Sequence, residues 1–227
     1  MVTKIGHRGA MGYISENTLS SFEKSIKIGV DVIELDVRLC KTGQLVIIHD
    51  EKVDRTTNSK GYVAEKTLEE LKALNTGNGE EIPTLYESLS FIDRRVKVNI
   101  ELKGVGTARP VYKTIQDFIK NKNWKKSDFL ISSFDHSQLE EFHLLDSNIR
   151  IGVLIRNNPM GYDQFLKKIN AYSVNISLKL INQELVDYFH KKNLKVYVWV
   201  VNKLSDIKQM KLLGVDGFFS DFPDKIN

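Results

Sequence analysis

Cysteine, proline and long apolar runs are scarce in this 227-residue chain. Cys40 is the single cysteine, so the chain can form no internal disulfide and no cysteine-based metal site. No stretch approaches the ~20 apolar residues of a membrane span, and the first residues lack the apolar segment of a signal peptide. Only four prolines are present, and a composition of 41% hydrophobic and 27% charged residues is ordinary for a globular domain. We therefore expect a cytoplasmic protein without stable membrane insertion.

The charge balance is mildly basic, with 33 Lys and Arg residues against 29 Asp and Glu residues and a net charge of +4. This balance suits an anionic substrate. The lysines are scattered, and the densest runs, at 120–126 and 191–192, are typical of solvated helix ends. We therefore expect a small-molecule substrate and no nucleic-acid partner, and the chain is as compatible with a monomer as with a homodimer.

Short β-branched runs alternate with helical patterns along the whole chain. The predicted strands are Thr3–His7, Val32–Leu39, Lys97–Lys103, Asp128–Phe134, Arg150–Ile155, Tyr172–Leu178, Lys195–Val201 and Gly217–Ser220. The predicted helices are Glu16–Ile28, Leu85–Asp93, Pro110–Asn121, Ser137–Leu145, Tyr162–Ile169, Gln183–Lys192 and Ser205–Leu213. Eight strands with seven intervening helices, spaced roughly 25–30 residues apart, predict an α/β fold of the (β/α)8 type.

The structural alternative is an open, doubly wound parallel sheet. Such a sheet normally has fewer strands and a glycine-rich phosphate turn after the first one. Here the first strand is followed by His-Arg-Gly-Ala, which is no dinucleotide fingerprint. We therefore predict one barrel domain over residues 1–227, with a last helix that is short or absent.

One segment interrupts the alternation. The run Gln44–His49 is a second β pattern directly after strand two, across the turn at Lys41-Thr42-Gly43, and predicts a hairpin. The following connection, approximately residues 51–83, is longer than a normal βα loop and contains a short helical pattern at Thr67–Leu74. We interpret it as an insertion over the mouth of the barrel.

Acidic residues alternate with apolar ones on two predicted strands. Glu34 and Asp36 share one face of strand two, and Glu101 and Lys103 repeat the pattern on the next barrel strand. In a barrel these charged sets face the lumen, close to the end where active sites form. Three carboxylates offer oxygen ligands only, which favours one divalent cation, Mg²⁺ or Ca²⁺. The alternative is a buried ion-pair cluster, in which Lys103 would have to compensate three carboxylates.

Two histidines lie at strand ends beside acids. His7 ends strand one and His49 ends the hairpin, so both can reach the same rim as the carboxylates. An ordinary pKa near 6.5 allows one histidine to accept a proton while the other donates one. The alternative is a pair of hydrogen-bonded structural histidines. His136, His143 and His190 lie in helical or pre-helical polar segments, and we expect them at the surface.

Aromatic and turn residues near the same rim have two interpretations each. Phe134 and Trp199 either line the substrate pocket or pack in the core. Asp221 either anchors the pocket or caps a turn. The Gly104-Val105-Gly106 segment is a weak phosphate-loop signal and is more typical of a plain βα turn.

With these residues the chain resembles the glycerophosphodiester phosphodiesterase family from end to end. The first half carries His7-Arg8-Gly9-Ala10, Glu16-Asn17-Thr18 with Phe22, 29–37 (Gly-Val-Asp-Val-Ile-Glu-Leu-Asp-Val), His49-Asp50 and Arg55-Thr56-Thr57. The second half carries Thr67-Leu68-Glu69-Glu70-Leu71, Ile82-Pro83-Thr84-Leu85, 99–103 (Asn-Ile-Glu-Leu-Lys), Ser132-Ser133-Phe134, Trp199-Val200-Val201-Asn202 and 214–223. Together these motifs are highly specific. The turn Lys41-Thr42-Gly43 is one residue tighter than the usual family pattern, which affects only the hairpin.

The resemblance implies a TIM barrel with a small insertion after strand two. It implies a divalent metal held by Glu34, Asp36 and Glu101, with His7 and His49 as the acid–base pair. It also implies that Arg8 and Lys103 hold the phosphate of a glycerophosphodiester. The expected reaction is metal-dependent hydrolysis to sn-glycerol 3-phosphate and an alcohol.

Two rival functions remain at this point. A lysophospholipase D or phospholipase C type enzyme on the same barrel would need an apolar surface facing the membrane, and residues 58–81 of the insertion are mostly polar. A non-catalytic barrel that binds phosphodiesters would have no need of both histidines. Either rival is distinguished from the expected activity by an assay for released glycerol 3-phosphate with and without chelator.

Overall fold

The chain forms a closed eight-stranded parallel barrel, as seen in a computed structural model that describes residues 2–77 and 79–226. Met1 and Asn227 lie outside the described residues, as does Asn78 within the predicted insertion. The strands are β1 (Thr3–Gly6), β2 (Val32–Leu39), β3 (Leu45–Ile47), β4 (Lys97–Leu102), β5 (Phe129–Ser133), β6 (Arg150–Ile155), β7 (Ser173–Ser177), β8 (Lys195–Trp199) and β9 (Gly217–Ser220).

The barrel closes through β1, which pairs in parallel with both β2 and β9. The remaining barrel strands follow in chain order, and β3 alone runs antiparallel, against the end of β2. The helices are α1 (Leu19–Ile28), α2 (Leu68–Lys72), α3 (Leu85–Ile92), α4 (Ala108–Asn121), α5 (His136–Leu145), α6 (Asp163–Lys168), α7 (Gln183–His190) and α8 (Leu204–Leu213). Helix α2 belongs to the insertion, and the other helices surround the barrel. The predicted (β/α)8 TIM barrel is confirmed.

Residue alternation on β2 separates the core from the lumen. Ile33, Leu35 and Val37 are buried in the main apolar cluster between the barrel and its helices. Glu34 and Asp36, which alternate with them, belong to the opposite, lumen-facing set. The same alternation places a second apolar cluster inside the barrel, formed by Val32 of β2 and by residues of other strands: Ile5, Leu130, Tyr197 and Phe219. This cluster fills the lumen beneath the carboxylates.

The helix predicted at Glu16–Ile28 begins later, at Leu19. Thr18 is the N-cap, and its side chain accepts a hydrogen bond from the backbone N–H of Ser21. Asn17 has φ of 58°, which is incompatible with a right-handed helix. Glu16 and Asn17 therefore lie in the β1–α1 loop, where their side chains are available to the lumen rim.

The insertion after the β2–β3 hairpin packs on its own small apolar cluster. That cluster joins Val46 and Ile48 of the hairpin region to Val53, Val63 and Leu71 of the insertion. Helix α2 begins with a capping box in which Thr67 and Glu70 satisfy each other's backbone N–H groups. The insertion is therefore held firmly against the hairpin rather than resting loosely on the barrel.

After β9 the described residues form a 3-10 turn, Pro223–Ile226, where an eighth outer helix would otherwise follow. This agrees with the prediction of a short or absent last helix. Within residues 2–77 and 79–226, none of the helices has the length and apolar character needed to cross a membrane.

Candidate active site

The turn after β1 places His7 and Arg8 at the carboxyl end of the barrel. Arg8 and Gly9 both have positive φ, 51° and 84°. A Cβ at residue 9 would lie 2.3 Å from Ser21 Oγ, so only glycine fits this close approach to α1. In this conformation the backbone N–H of Arg8 donates to Glu34 Oε2 at 2.8 Å. The turn therefore contacts the acidic residues directly through its backbone.

Three carboxylates meet inside the lumen. Glu34, Asp36 and Glu101 each offer one oxygen within 4.8 Å of the others, and all three side chains are buried. Asp36 and Glu101 are paired in the β2–β4 register, which brings their side chains together. The second oxygen of Glu34, Oε1, is buried without a hydrogen-bond partner in the described chain. An oxygen-only donor set with an unsatisfied buried oxygen fits a divalent cation.

Two cationic side chains reach the same carboxylates. Lys103 Nζ lies 2.5 Å from Glu101 Oε1 and 3.3 Å from Asp36 Oδ1. Arg8 Nε lies 3.3 Å from Asp36 Oδ2. Asn17 Nδ2 also donates to Asp36, at 2.8 Å. Two cations compensate at most two of the three buried acids, so a closed ion-pair cluster requires one carboxyl group to keep its proton.

The pKa values of the three acids diverge because of this arrangement. Burial raises the pKa of Glu34 well above its ordinary value, and Asp36 and Glu101 add to the effect. Burial also raises the pKa of Glu101 to about 7, although Lys103 opposes it. Burial acts in the same sense on Asp36, but Lys103 and Arg8 outweigh it and lower its pKa to about 2. The raised pKa values of Glu34 and Glu101 favour the entry of a further positive charge into the cluster, and the oxygen donors of the triad match those that a divalent metal prefers.

Each of the two predicted histidines is held by its own carboxylate. His7 Nδ1 lies 2.6 Å from Asp221 Oδ1, and His49 Nδ1 lies 2.6 Å from Asp50 Oδ1. Asn202 Nδ2 fixes Asp221 in turn, at 2.6 Å. A carboxylate on Nδ1 orients the ring and leaves Nε2 available for proton transfer. The structure thus favours the pocket-anchoring interpretation of Asp221.

Burial lowers the pKa of His49, and the negative charge of Asp36 opposes that shift. Burial would raise the pKa of Asp221, but the hydrogen bond and charge of His7 together with Asn202 and Arg8 outweigh this and lower it. The carboxylate of Asp221 therefore stays ionised, as a partner for an imidazole N–H must.

A hydrogen-bond network that the sequence does not reveal connects Arg8 to Asp50, the partner of His49, at the rim of the barrel. Glu16 Oε1 accepts from Arg8 Nη1 at 2.7 Å, and Glu16 Oε2 accepts from Arg55 Nη1 at 2.6 Å. Arg55 also contacts Asp50, the partner of His49. Arg55 belongs to the insertion, and the sequence singles it out only as part of the Arg55-Thr56-Thr57 motif. Nothing in its sequence spacing indicated that it reaches the rim.

The predicted site residues surround one cavity of about 180 Å³. Phe134 and Trp199 belong to its wall, with their ring centroids 5.5 Å apart in an edge-to-face contact. Trp199 Nε1 donates to the carbonyl of Asn175 at 3.0 Å, which fixes the indole. All the predicted site residues except Asp36 line the cavity: His7, Arg8, Glu34, His49, Glu101, Lys103, Phe134 and Trp199.

The three remaining histidines lie away from this cavity. His190 is exposed and contacts Asp216 at 2.8 Å, as expected for a surface residue. His143 is only partly exposed. His136 is also only partly exposed: its ring stacks on Phe165, with centroids 5.0 Å apart, and its Nε2 lies 3.0 Å from the Leu154 carbonyl.

Comparison with known proteins identifies the family. The glycerophosphoryl diester phosphodiesterase family matches residues 7–225. The chain belongs to this family. It is 40% identical over 242 residues to a glycerophosphodiester phosphodiesterase of Bacillus altitudinis, covering 99% of this chain and 96% of the relative. It is 37% identical over 231 residues to one of Caldanaerobacter subterraneus subsp. tengcongensis, covering 98% and 95%.

Solved structures agree with the family assignment. A phosphodiesterase of Oleispira antarctica, in complex with the product sn-glycerol-3-phosphate, superposes with a TM-score of 0.90 at 29% identity, covering 98% of this chain and 94% of that one. A glycerophosphodiester phosphodiesterase of Thermotoga maritima superposes with a TM-score of 0.81 at 28% identity, covering 99% and 96%. The predicted enzyme class, a glycerophosphodiester phosphodiesterase, is confirmed, and the two rival functions are not favoured.

Proposed function

We propose that this enzyme hydrolyses glycerophosphodiesters to sn-glycerol 3-phosphate and a free alcohol, with His7 and His49 as the acid–base pair. One observation carries the proposal: two carboxylate-backed histidines line the same cavity as the acidic triad. The Oleispira antarctica relative, solved with sn-glycerol-3-phosphate, supports the identity of the product.

The metal ligands of the proposal are Glu34, Asp36 and Glu101, and the ion is Mg²⁺ or Ca²⁺. Hard cations of this kind prefer carboxylate oxygens, which are the only donors in the triad. When bound, such an ion supplies positive charge against the charge that develops on the phosphoryl oxygens. The unsatisfied Oε1 of Glu34 supports this assignment from the protein side.

The phosphate of the substrate would be held by Arg8 and Lys103. Both side chains border the cavity and are partly buried, so a phosphate contact there is weakly screened by solvent. The pKa of Lys103 stays above its ordinary value because the charges of Asp36 and Glu101 outweigh the effect of burial. The ammonium therefore remains charged throughout the neutral range.

The two histidines would divide the proton transfers between them. One imidazole accepts the proton of the attacking hydroxyl, and the other donates a proton to the leaving alkoxide. Asp221 and Asp50 hold each ring by Nδ1, so each Nε2 exchanges the proton. The rings of Phe134 and Trp199 would pack against the carbon atoms of the bound substrate and exclude water there.

The test is release of glycerol 3-phosphate from purified enzyme, measured with and without a strong chelator. We expect release that stops on chelation and returns on addition of Mg²⁺ or Ca²⁺. Full activity after exhaustive chelation would refute the metal role, and absence of any release would refute the proposed reaction. We further propose that residues 1–227 act as one cytoplasmic domain, as a monomer or homodimer that binds no nucleic acid.

A further inference from the structure

A second and larger cavity adjoins the catalytic one. It has a volume of about 510 Å³, and we call it the outer cavity. The two cavities share His49, Glu101, Lys103, Phe134 and Leu154. A phosphodiester has two alcohol arms on one phosphorus, so a phosphate bound at the shared residues can direct one arm into each cavity. On the proposed function, the smaller cavity takes the glycerol arm and the outer cavity takes the departing alcohol.

Four charged side chains line only the outer cavity. They are Arg38, Arg156, Glu51 and Asp135. Asp135 is engaged as the N-cap of α5, where Oδ1 accepts from the backbone N–H of Ser137 at 3.0 Å and from its Oγ at 2.6 Å. The two guanidinium groups and the two carboxylates balance in formal charge. Discrimination against a quaternary ammonium therefore depends on the position of Arg156, whose guanidinium lies on the Phe134 ring, and not on the net charge of the lining.

The aromatic ring that could hold such a group is already occupied. The guanidinium of Arg156 lies 4.3 Å from the ring centroid of Phe134, and Lys103 Nζ lies 5.7 Å from it. Quaternary ammonium groups are recognised by open aromatic faces. The other aromatic ring lining the cavity, that of Tyr162, meets His136 edge-to-face at 5.3 Å.

Hydroxyl groups, by contrast, find suitable partners in the outer cavity. Arg38, Arg156 and Asn157 supply N–H donors, and Glu51 supplies carboxylate acceptors. A guanidinium group carries five N–H donors, so more than one hydroxyl of a carbon chain or ring can accept from the same side chain. Donors and an acceptor in one polar cavity are what a polyol requires, since each of its hydroxyls both donates and accepts.

We propose that the outer cavity binds the alcohol arm of the diester and selects a hydroxyl-rich headgroup over a quaternary ammonium, with Arg156 as the specificity-determining residue. The inference rests on the proposed function and names the substrate class of the same site. Arg156 touches no member of the acidic triad in the described structure, so its replacement changes the choice of substrate without removing the reaction.

The experiment compares kcat/KM for glycerophosphoinositol, glycerophosphoglycerol and glycerophosphocholine, followed by release of glycerol 3-phosphate. We expect the two polyol diesters to be preferred about tenfold, because a like charge placed against the headgroup weakens binding. Arg156→Ala should reduce the preference, and Arg156→Glu should abolish or reverse it. Arg150→Ala is the matched control: its guanidinium lies 4.7 Å from the ring centroid of Tyr172, beside a different cavity, and the preference should not change.

The possible outcomes separate the inference from the proposed function. If all three diesters are hydrolysed and kcat/KM for glycerophosphocholine equals or exceeds the values for the two polyol diesters, the inference is overturned and the proposed function is retained. A polyol preference that Arg156→Glu does not alter overturns the role of Arg156. Absence of glycerol 3-phosphate from every diester overturns the proposed function, and the inference fails with it.

Discussion

Arg55 donates hydrogen bonds from Nε and Nη2 to the two carboxylate oxygens of Asp50, at 2.7 and 3.1 Å. The same guanidinium donates to both oxygens of Glu16. One side chain of the insertion thus fixes the partner of His49 and the partner of Arg8 together. The fork of an arginine suits this double task, and a lysine ammonium does not.

Replacing Arg55 by Ala should lower kcat at least about tenfold, because it frees Asp50 to move and with it the ring of His49. The metal triad is untouched, so calorimetric binding of Mg²⁺ or Ca²⁺ should stay close to wild type. Arg95→Ala is the matched control, since Arg95 makes a comparable 2.8 Å pair with Glu23 at the surface. Equal kcat in the Arg55 and Arg95 variants would contradict a positioning role.

The Asp50–Arg55 pair should also affect how the stability of the protein depends on pH. The hydrogen bond from Arg55 is the main cause that lowers the pKa of Asp50 in the folded state. A lowered folded pKa means that the pairing stabilises the fold above the unfolded value of about 3.9 and is lost as the pH falls below it. The difference in denaturant midpoint between wild type and Arg55→Ala should therefore be largest near neutrality and shrink below pH about 4. A difference that grows on acidification would show that the pair acts otherwise.

Part of this site could be predicted from sequence, because alternation on a strand fixes which side chains share a face. Glu34, Asp36 and Glu101 were placed in the lumen on that basis alone. The contact between His7 and Asp221 spans 214 residues and depends on closure of β1 against β9, which no local pattern encodes. Residues 16 and 17 looked helical, and the positive φ of Asn17 that removes them from α1 has no clear signature in the sequence.

Glu34 should lower the stability of the metal-free protein. Burial, with Asp36 and Glu101, raises the pKa of Glu34 in the folded state, which costs stability above its unfolded pKa, so Glu34→Gln should raise the melting temperature of the metal-free protein at neutral pH. The same variant should lose most of the stabilisation that wild type gains from Mg²⁺ or Ca²⁺, which at 100 times Kd amounts to about 2.7 kcal/mol. Thermal melts with chelator and with metal measure both effects. Glu80→Gln, in the insertion, is a control away from the triad. A lower melting point for metal-free Glu34→Gln than for wild type would show that the carboxylate is already compensated.

Each catalytic histidine should be needed separately. His7→Ala and His49→Ala should each reduce kcat by the ~10²–10⁴-fold typical of a general acid or base, with an unchanged circular dichroism spectrum. Asp221→Asn should weaken turnover less than His7→Ala, because it misorients the ring without removing it. His190→Ala and His143→Ala should be near neutral. Normal turnover in folded His49→Ala would remove that residue from the mechanism.

The glycerol 2-hydroxyl of the substrate should be the first nucleophile, with a transient cyclic phosphate. This hydroxyl is on the carbon next to the one that bears the phosphate, so its attack is intramolecular, which can contribute several kcal/mol in effective molarity. The bond from phosphorus to the 2-oxygen forms as the bond to the leaving alcohol breaks. One histidine takes the proton of the hydroxyl, and the other protonates the leaving oxygen.

Water then opens the ring at the 2-oxygen, and the histidines exchange roles, which explains why the cavity holds two carboxylate-backed imidazoles of similar geometry. The rival is direct attack by water, which the same residues can support. A diester whose glycerol 2-hydroxyl is replaced by hydrogen distinguishes the two routes. On the cyclic route it should bind and not be cleaved, and a competition assay against the normal substrate verifies the binding. Hydrolysis of the deoxy diester at a comparable rate would establish direct attack by water and eliminate the cyclic intermediate.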